Sequence, residues 1–88
     1  MAIAAYQAAL RVSTEKDFPI DWATTQNNLG LLYAVIPDGN RAENLKSAKA
    51  CFESALRVYT ESGFPNDHRA VVEKLADVER QLRSLTSK

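Results

Sequence analysis

Residues 2–33 and residues 48–79 are near-copies of each other: at a constant offset of 46, 12 of 32 positions are identical and no gap is needed. The identities are Ala2/Ala48, Ala4/Ala50, Ala9/Ala55, Leu10/Leu56, Arg11/Arg57, Val12/Val58, Thr14/Thr60, Glu15/Glu61, Phe18/Phe64, Pro19/Pro65, Asp21/Asp67 and Leu29/Leu75. A fixed period of this size marks a solenoid, in which each unit buries its apolar face only against its neighbours and leaves an extended surface for partners. The repeat therefore points to binding or assembly and leaves the partner open.

Length limits what such a chain can bury. At 88 residues it makes one small domain, and a chain of that size covers only about 60–65% of its unfolded surface. Eleven basic residues balance eleven acidic ones without a block of either sign. Neither nucleic acid nor an anionic membrane surface is then an expected partner. The longest apolar run, counting glycine, is the eight residues from Leu29 to Ile36, far short of the roughly 20 that span a bilayer. No secretory pattern follows Met1, so a cytoplasmic location is the default expectation. Cys51 is the single cysteine, and its setting among Ala50, Phe52 and Ala55 suits a small packed side chain better than a redox centre.

Hydrophobic spacing of three and four predicts an all-α fold with four antiparallel helices, over residues 3–15, 22–35, 41–61 and 67–85. Inward rows are Ala2, Tyr6, Ala9 and Ser13 with Ile3 and Leu10; Trp22, Gln26, Leu29, Tyr33 and Ile36; Leu45, Ala48, Phe52, Ala55, Leu56 and Tyr59; and Val71, Leu75, Val78, Leu82 and Leu85. Asp21 and Asp67 are expected to cap the second and fourth helices. Pro37-Asp38-Gly39-Asn40 reads as a turn, with Asn40 and Glu43 as a capping box for the third helix. Gly63 is expected to end that helix in the left-handed conformation.

Small residues at Gly30, Ala48 and Ala55 would let helix axes approach, while Tyr33 and Phe52 fill the space between layers. The series Gln26, Leu29, Gly30, Tyr33, Ala48, Phe52, Ala55 and Pro65 resembles the tetratricopeptide repeat, whose pattern is a large residue, Leu-Gly, Tyr, Ala, an aromatic, Ala and Pro. The first copy supplies Ala2, Tyr6, Ala9 and Pro19. Gln26 departs from the usual tryptophan, and Trp22 sits one turn earlier. Compared with the roughly 34-residue form, the longer period adds about six residues between Tyr33 and Ala48, five between Phe52 and Pro65, and one between Pro19 and Gln26. The stretch from Thr25 to Tyr33 is similar to the first helix of kinesin-light-chain-type repeats and of long arrays in bacterial signalling proteins.

The resemblance implies a right-handed α-α superhelix over residues 1–88. Residues 1–17 would be the second helix of a preceding repeat and 21–61 one complete repeat. Residues 67–86 would be the first helix of a following repeat, or a cap. The chain would thus start and stop in mid-repeat, as a segment of a longer array does. In this family the first helix of each unit lines a concave groove. Thr24, Asn27, Asn28, Leu31, Ala34 and Val35 are accordingly expected to form a peptide-binding surface in a scaffold or signalling module. The asparagines would grip a peptide backbone with paired donor and acceptor groups, above an apolar floor of Leu31, Ala34 and Val35.

Two structural readings compete with that site. In one, Asn27 and Asn28 are solvated or bond only their own helix backbone while Leu31 and Val35 touch a neighbouring repeat; in addition, the fourth helix carries Glu73, Lys74, Asp77 and Arg80 in place of Asn27, Asn28, Leu31 and Ala34. Its charged outer face, with Arg69/Glu73 and Glu79/Arg83 at i,i+4 spacing, suits a cap. Its heptad seam would also serve an intermolecular coiled coil. The alanine-rich face of the first helix, Ala2, Ala5 and Ala9, suits contact with another helix, so homo-oligomers built through the terminal helices are the alternative function. Catalysis has no constellation to support it. His68 stands beside Asp67 without further ligands, Glu15, Asp17 and Glu61 read as solvated loop charges, and no cofactor or metal is expected.

Overall fold

The computed structural model describes residues 2–12, 14–36 and 39–86. It folds them into four helices: α1 Ala2–Val12, α2 Pro19–Val35, α3 Arg41–Leu56 and α4 Pro65–Thr86. The described residues contain helices and turns and no strand, as the three-and-four spacing requires. Met1, Ser13, Pro37, Asp38, Ser87 and Lys88, together with the side chains of Ala2 and Thr86, lie outside the described residues. Each helix packs on the next in the chain, most extensively α2 on α3 and least α1 on α2. The Cα atoms span 43 × 31 × 15 Å, and the short dimension suits two helix layers about 8–10 Å apart.

The core is built where the α3 pattern placed it. Leu45, Ala48, Phe52 and Ala55 are fully buried, and Trp22, Ala23, Tyr59, Val71 and Val78 complete the cluster from α2, the α3–α4 loop and α4. Leu75 and Leu82 pack on its edge, whereas Leu85 is exposed. The middle of the heptad row is thus spent inside the chain. Cys51 is buried with this group, and loss of solvent around the sulfur pushes its thiol up to about 11. Only the thiolate is nucleophilic, so native Cys51 is expected to react with iodoacetamide at neutral pH about two orders of magnitude more slowly than in the urea-unfolded chain. Equal rates in the two states would show that the sulfur is not packed.

Helix ends depart from expectation in one systematic way. Asp21 and Asp67 do not cap: α2 and α4 begin earlier, with Pro19 and Pro65 in the first turn. Proline has a φ already suited to the helix and lacks an N–H that would go unpaired there, so it starts these helices. Phe18 and Phe64 supply the first carbonyls, accepting from Trp22 N at 2.9 Å and His68 N at 2.8 Å. Asp21 and Asp67 sit in the first turn, where a carboxylate faces the positive end of the helix dipole.

Helix α3 stops at Leu56, short of the expected Glu61, and α1 stops at Val12. The last turn of α3 tightens through Arg57 N→Ser54 O and Val58 N→Ala55 O, both 3.1 Å. This returns Tyr59 to the core, with its ring edge-on to Phe64 at 5.4 Å. Gly63 is not the left-handed stop; Gly39, at φ +82°, is the only glycine with positive φ among the described residues. Threonine does the work in both copies. Thr14 Oγ1 accepts from Asp17 N and Thr60 Oγ1 from Gly63 N, each at 3.2 Å. The carbonyls of the same residues accept from Phe18 N and Phe64 N. At the start of α3, Asn40 Oδ1 accepts from Glu43 N at 3.0 Å as expected, while the Glu43 carboxylate turns to Lys46 at 3.6 Å.

Arg57 joins the two copies. Its guanidinium lies 5.2 Å from the centre of the Trp22 ring and bonds both oxygens of Glu15, at 3.0 and 2.9 Å. Those charge-assisted bonds hold the Glu15 carboxyl below its ordinary value and raise Arg57 above its own. Because the pair is exposed, its contribution to stability is small. That contribution is present above the usual carboxylate range and lost as pH falls through the lowered Glu15 value.

Candidate functional site: the surface between α2 and α4

Gly30 is the residue that sets the spacing of the α2–α3 hairpin. A Cβ built on it would fall 2.7 Å from Phe52 Cε1 and 2.9 Å from Cδ1, closer than carbon atoms approach. Phe52 therefore rests directly on the α2 backbone, with Ala48 and Ala55 buried on either side of it in α3. Leu29 and Gly30 are buried as the Leu-Gly pattern predicts. Tyr33 packs on the core, but its hydroxyl end turns to α1 and accepts from Gln7 Nε2 at 3.3 Å rather than reaching α3. Pro65 opens α4.

With that face committed, the next face of α2 meets α4 across a hollow of about 280 Å³. Leu31, Ala34 and Val35 form its α2 wall, Phe52 and Val78 contribute apolar surface, and Lys74, Asp77 and Gln81 form the α4 wall. Arg41 closes one end. It donates to the Ala34 carbonyl at 2.6 Å and to Gln81 Oε1 at 2.7 Å, tying the last turn of α2 to α3 and α4 with a cation where helix carbonyls are unpaired. Asp77 is engaged by Arg80 and by Gln81 Nε2.

Of the six residues expected at a binding surface, Leu31, Ala34 and Val35 line the hollow, and Val35 is 70% exposed. Thr24, Asn27 and Asn28 lie further along α2 and do not line it. The Thr24 hydroxyl shares a 2.6 Å hydrogen bond with the Tyr59 hydroxyl and so braces α2 against the end of α3. Asn28 is half-buried. Asn27 is half-buried with a buried Oδ1 that has no hydrogen-bond partner. Buried carboxamide oxygens normally have one, and the oxygen and nitrogen ends exchange by a half-turn of the group.

Sequence reasoning missed the α4 half of the surface. The signal was present in the 46-residue offset, which takes Asn28 to Lys74, Leu31 to Asp77 and Val35 to Gln81. These α4 residues read as a solvated face, and only the packing shows them turned toward α2. A larger hollow, about 340 Å³, lies over the α3–α4 seam between Lys46, Lys49, Glu79 and Arg83. Its walls are long charged side chains, including a Lys49–Glu79 pair at 3.6 Å, so it is a solvated surface feature rather than a shaped site. Among the described residues no group of three or more His, Cys, Asp or Glu side chains is placed to hold a metal ion. No helix among them is long and apolar enough to cross a membrane. Comparison with protein-family models, with curated proteins and with solved structures found no match.

Proposed function

We propose that this chain is a tetratricopeptide-like interaction module that binds an extended peptide segment of a partner protein across the α2–α4 surface. In this reading α2 and α3 are the two helices of the complete repeat, in a right-handed superhelix. α1 is the second helix of the unit before, and α4 opens the unit after or caps the stack. The activity is binding without catalysis, in the cytoplasm. The observation that carries it is the hollow itself: an apolar wall of Leu31, Ala34 and Val35, backed by buried Phe52 and Val78, beside a polar α4 wall. A surface of that composition accepts an apolar side chain and leaves polar groups for the peptide units on either side. The close Gly30–Phe52 approach and the matched Thr14–Phe18 and Thr60–Phe64 turns support the repeat assignment.

Asn27 and Asn28, one turn along from the hollow, would hold the backbone of the same peptide. The test is to select peptides from a random-peptide display library on the immobilised domain and map them by amide chemical-shift perturbation. Shifts are expected along α2 and α4. Leu31→Asp, and separately Asn27→Ala with Asn28→Ala, should each weaken the selected peptides about tenfold, the size expected from losing one or two ligand hydrogen bonds or an apolar contact. Peptides that map elsewhere, or that bind both folded variants with unchanged affinity, would remove the assigned surface.

A further inference from the structure

We propose that this chain associates head to tail with a second copy of itself, α1 of one copy seating on α4 of the next as α3 seats on α2 within one chain. The basis is a contrast between repeat equivalents. Ala55 and Cys51 are buried in α3, whereas their counterparts Ala9 and Ala5 in α1 are half-buried and exposed. Val58 packs on the core, whereas Val12 is 74% exposed. The surface that α2 covers on the second copy is therefore bare on the first.

The complementary half lies on α4. Gly30 of α2 is buried against Phe52, but its equivalent Ala76 is exposed, and Val72 beside it is 40% exposed. Charge places the two halves in register. Arg57 bonds Glu15 and lies over Trp22. Adding one period to the acceptor and to the ring gives Glu61 and His68, and subtracting one from the cation gives Arg11. Arg11 and Glu61 form no ion pair within the chain among the described residues. His68, the repeat counterpart of Trp22, is held with its Nδ1 donating to the Tyr59 carbonyl at 3.0 Å.

Seating one copy on the next brings Arg11 to Glu61 and over His68, covers Val12, and sets Tyr6 against Ala76 in the way Phe52 meets Gly30. Ala76 carries the Cβ that Gly30 lacks, and Arg69 replaces the buried Ala23. The joint is consequently wider and wetter than the internal one, and association is reversible. Because the two surfaces differ, the contact does not close on itself as a two-fold dimer and adds copies in sequence.

Sedimentation of the full 88-residue chain across a concentration series tests this. The weight-average mass is expected to rise without a plateau at the dimer. Val12→Glu and Arg11→Glu, both at exposed positions outside the α2–α4 hollow, should weaken association about tenfold or more through an interfacial like charge, with helical circular dichroism and melting unchanged. Glu61→Arg should fail alone in the same way. An equimolar mixture of the Arg11→Glu and Glu61→Arg variants should associate again, since each joint then pairs opposite charges. A monomer throughout the millimolar range, a plateau at twice the monomer mass, or association indifferent to Arg11→Glu and Glu61→Arg would overturn the proposal.

Discussion

Phe52→Ala is expected to lower the unfolding free energy by about 3–5 kcal/mol, the range for removing a buried aromatic side chain and leaving a cavity. A chain of 88 residues holds roughly 4–13 kcal/mol in total at the usual stability per residue, so the variant should lose between about a quarter and all of its stability. The reason for the size lies in what the ring fills. Phe52 has no exposed surface, rests on the bare backbone at Gly30 and lies beneath the α2–α4 hollow. Removing it opens the α2–α3 joint and the candidate binding surface together. Urea titration followed by far-UV circular dichroism measures the loss; a value under about 1 kcal/mol, the scale of a surface substitution, would show that α2 and α3 are not held by this ring.

Gly30→Leu is expected to cost about 3 kcal/mol or more, and Gly30→Ala about 1–2 kcal/mol, although glycine is a poor helix residue and alanine should gain about 1 kcal/mol in an exposed helix. Sign and size follow from the 2.7 Å separation between the added Cβ and Phe52 Cε1. A ring tip at a surface would swing aside, but Phe52 is fully enclosed, and overpacking of a closed core costs about 1–3 kcal/mol for even small additions. A double-mutant comparison isolates the contact. In a Phe52→Leu background, where Cε1 and Cζ are gone and only the smaller branched Cδ groups remain, the penalty of Gly30→Ala should shrink. An unchanged penalty there, or a Gly30→Ala protein more stable than the parent, would place the close approach somewhere other than Gly30 and Phe52.

Both experiments fall on residues that sequence patterning had already singled out. Periodicity finds such positions well, because a fully buried residue must recur on the inward face of its helix whatever surrounds it. The candidate binding surface is a different case. Leu31, Ala34 and Val35 were accessible to the same reasoning, since they lie on the α2 face left over once Gly30 turns to α3. The Thr24 hydroxyl was not. A threonine at that position reads as a groove residue until Tyr59 arrives from 35 positions away in the chain to take its hydrogen bond. Lys74, Asp77 and Gln81 were missed for the converse reason: nothing in a charged helical face tells which other helix it will confront.

Local chemistry along the chain was sufficient for the helices, their order, the small residues at the close approach and the equivalence of the two halves. Each of these depends on spacing or residue size within a short stretch. Even its errors were local in kind, as when aspartate was given the capping role that belongs to the phenylalanine carbonyls and the prolines after them. Which faces remain open was settled by packing alone. Val12 and Val58 are the same residue in the same repeat position, yet one is 74% exposed and the other packs on the core, because a neighbouring helix lies over only one of them. Exposure depends on what is nearby in space, and a repeating sequence writes the same residue at both places.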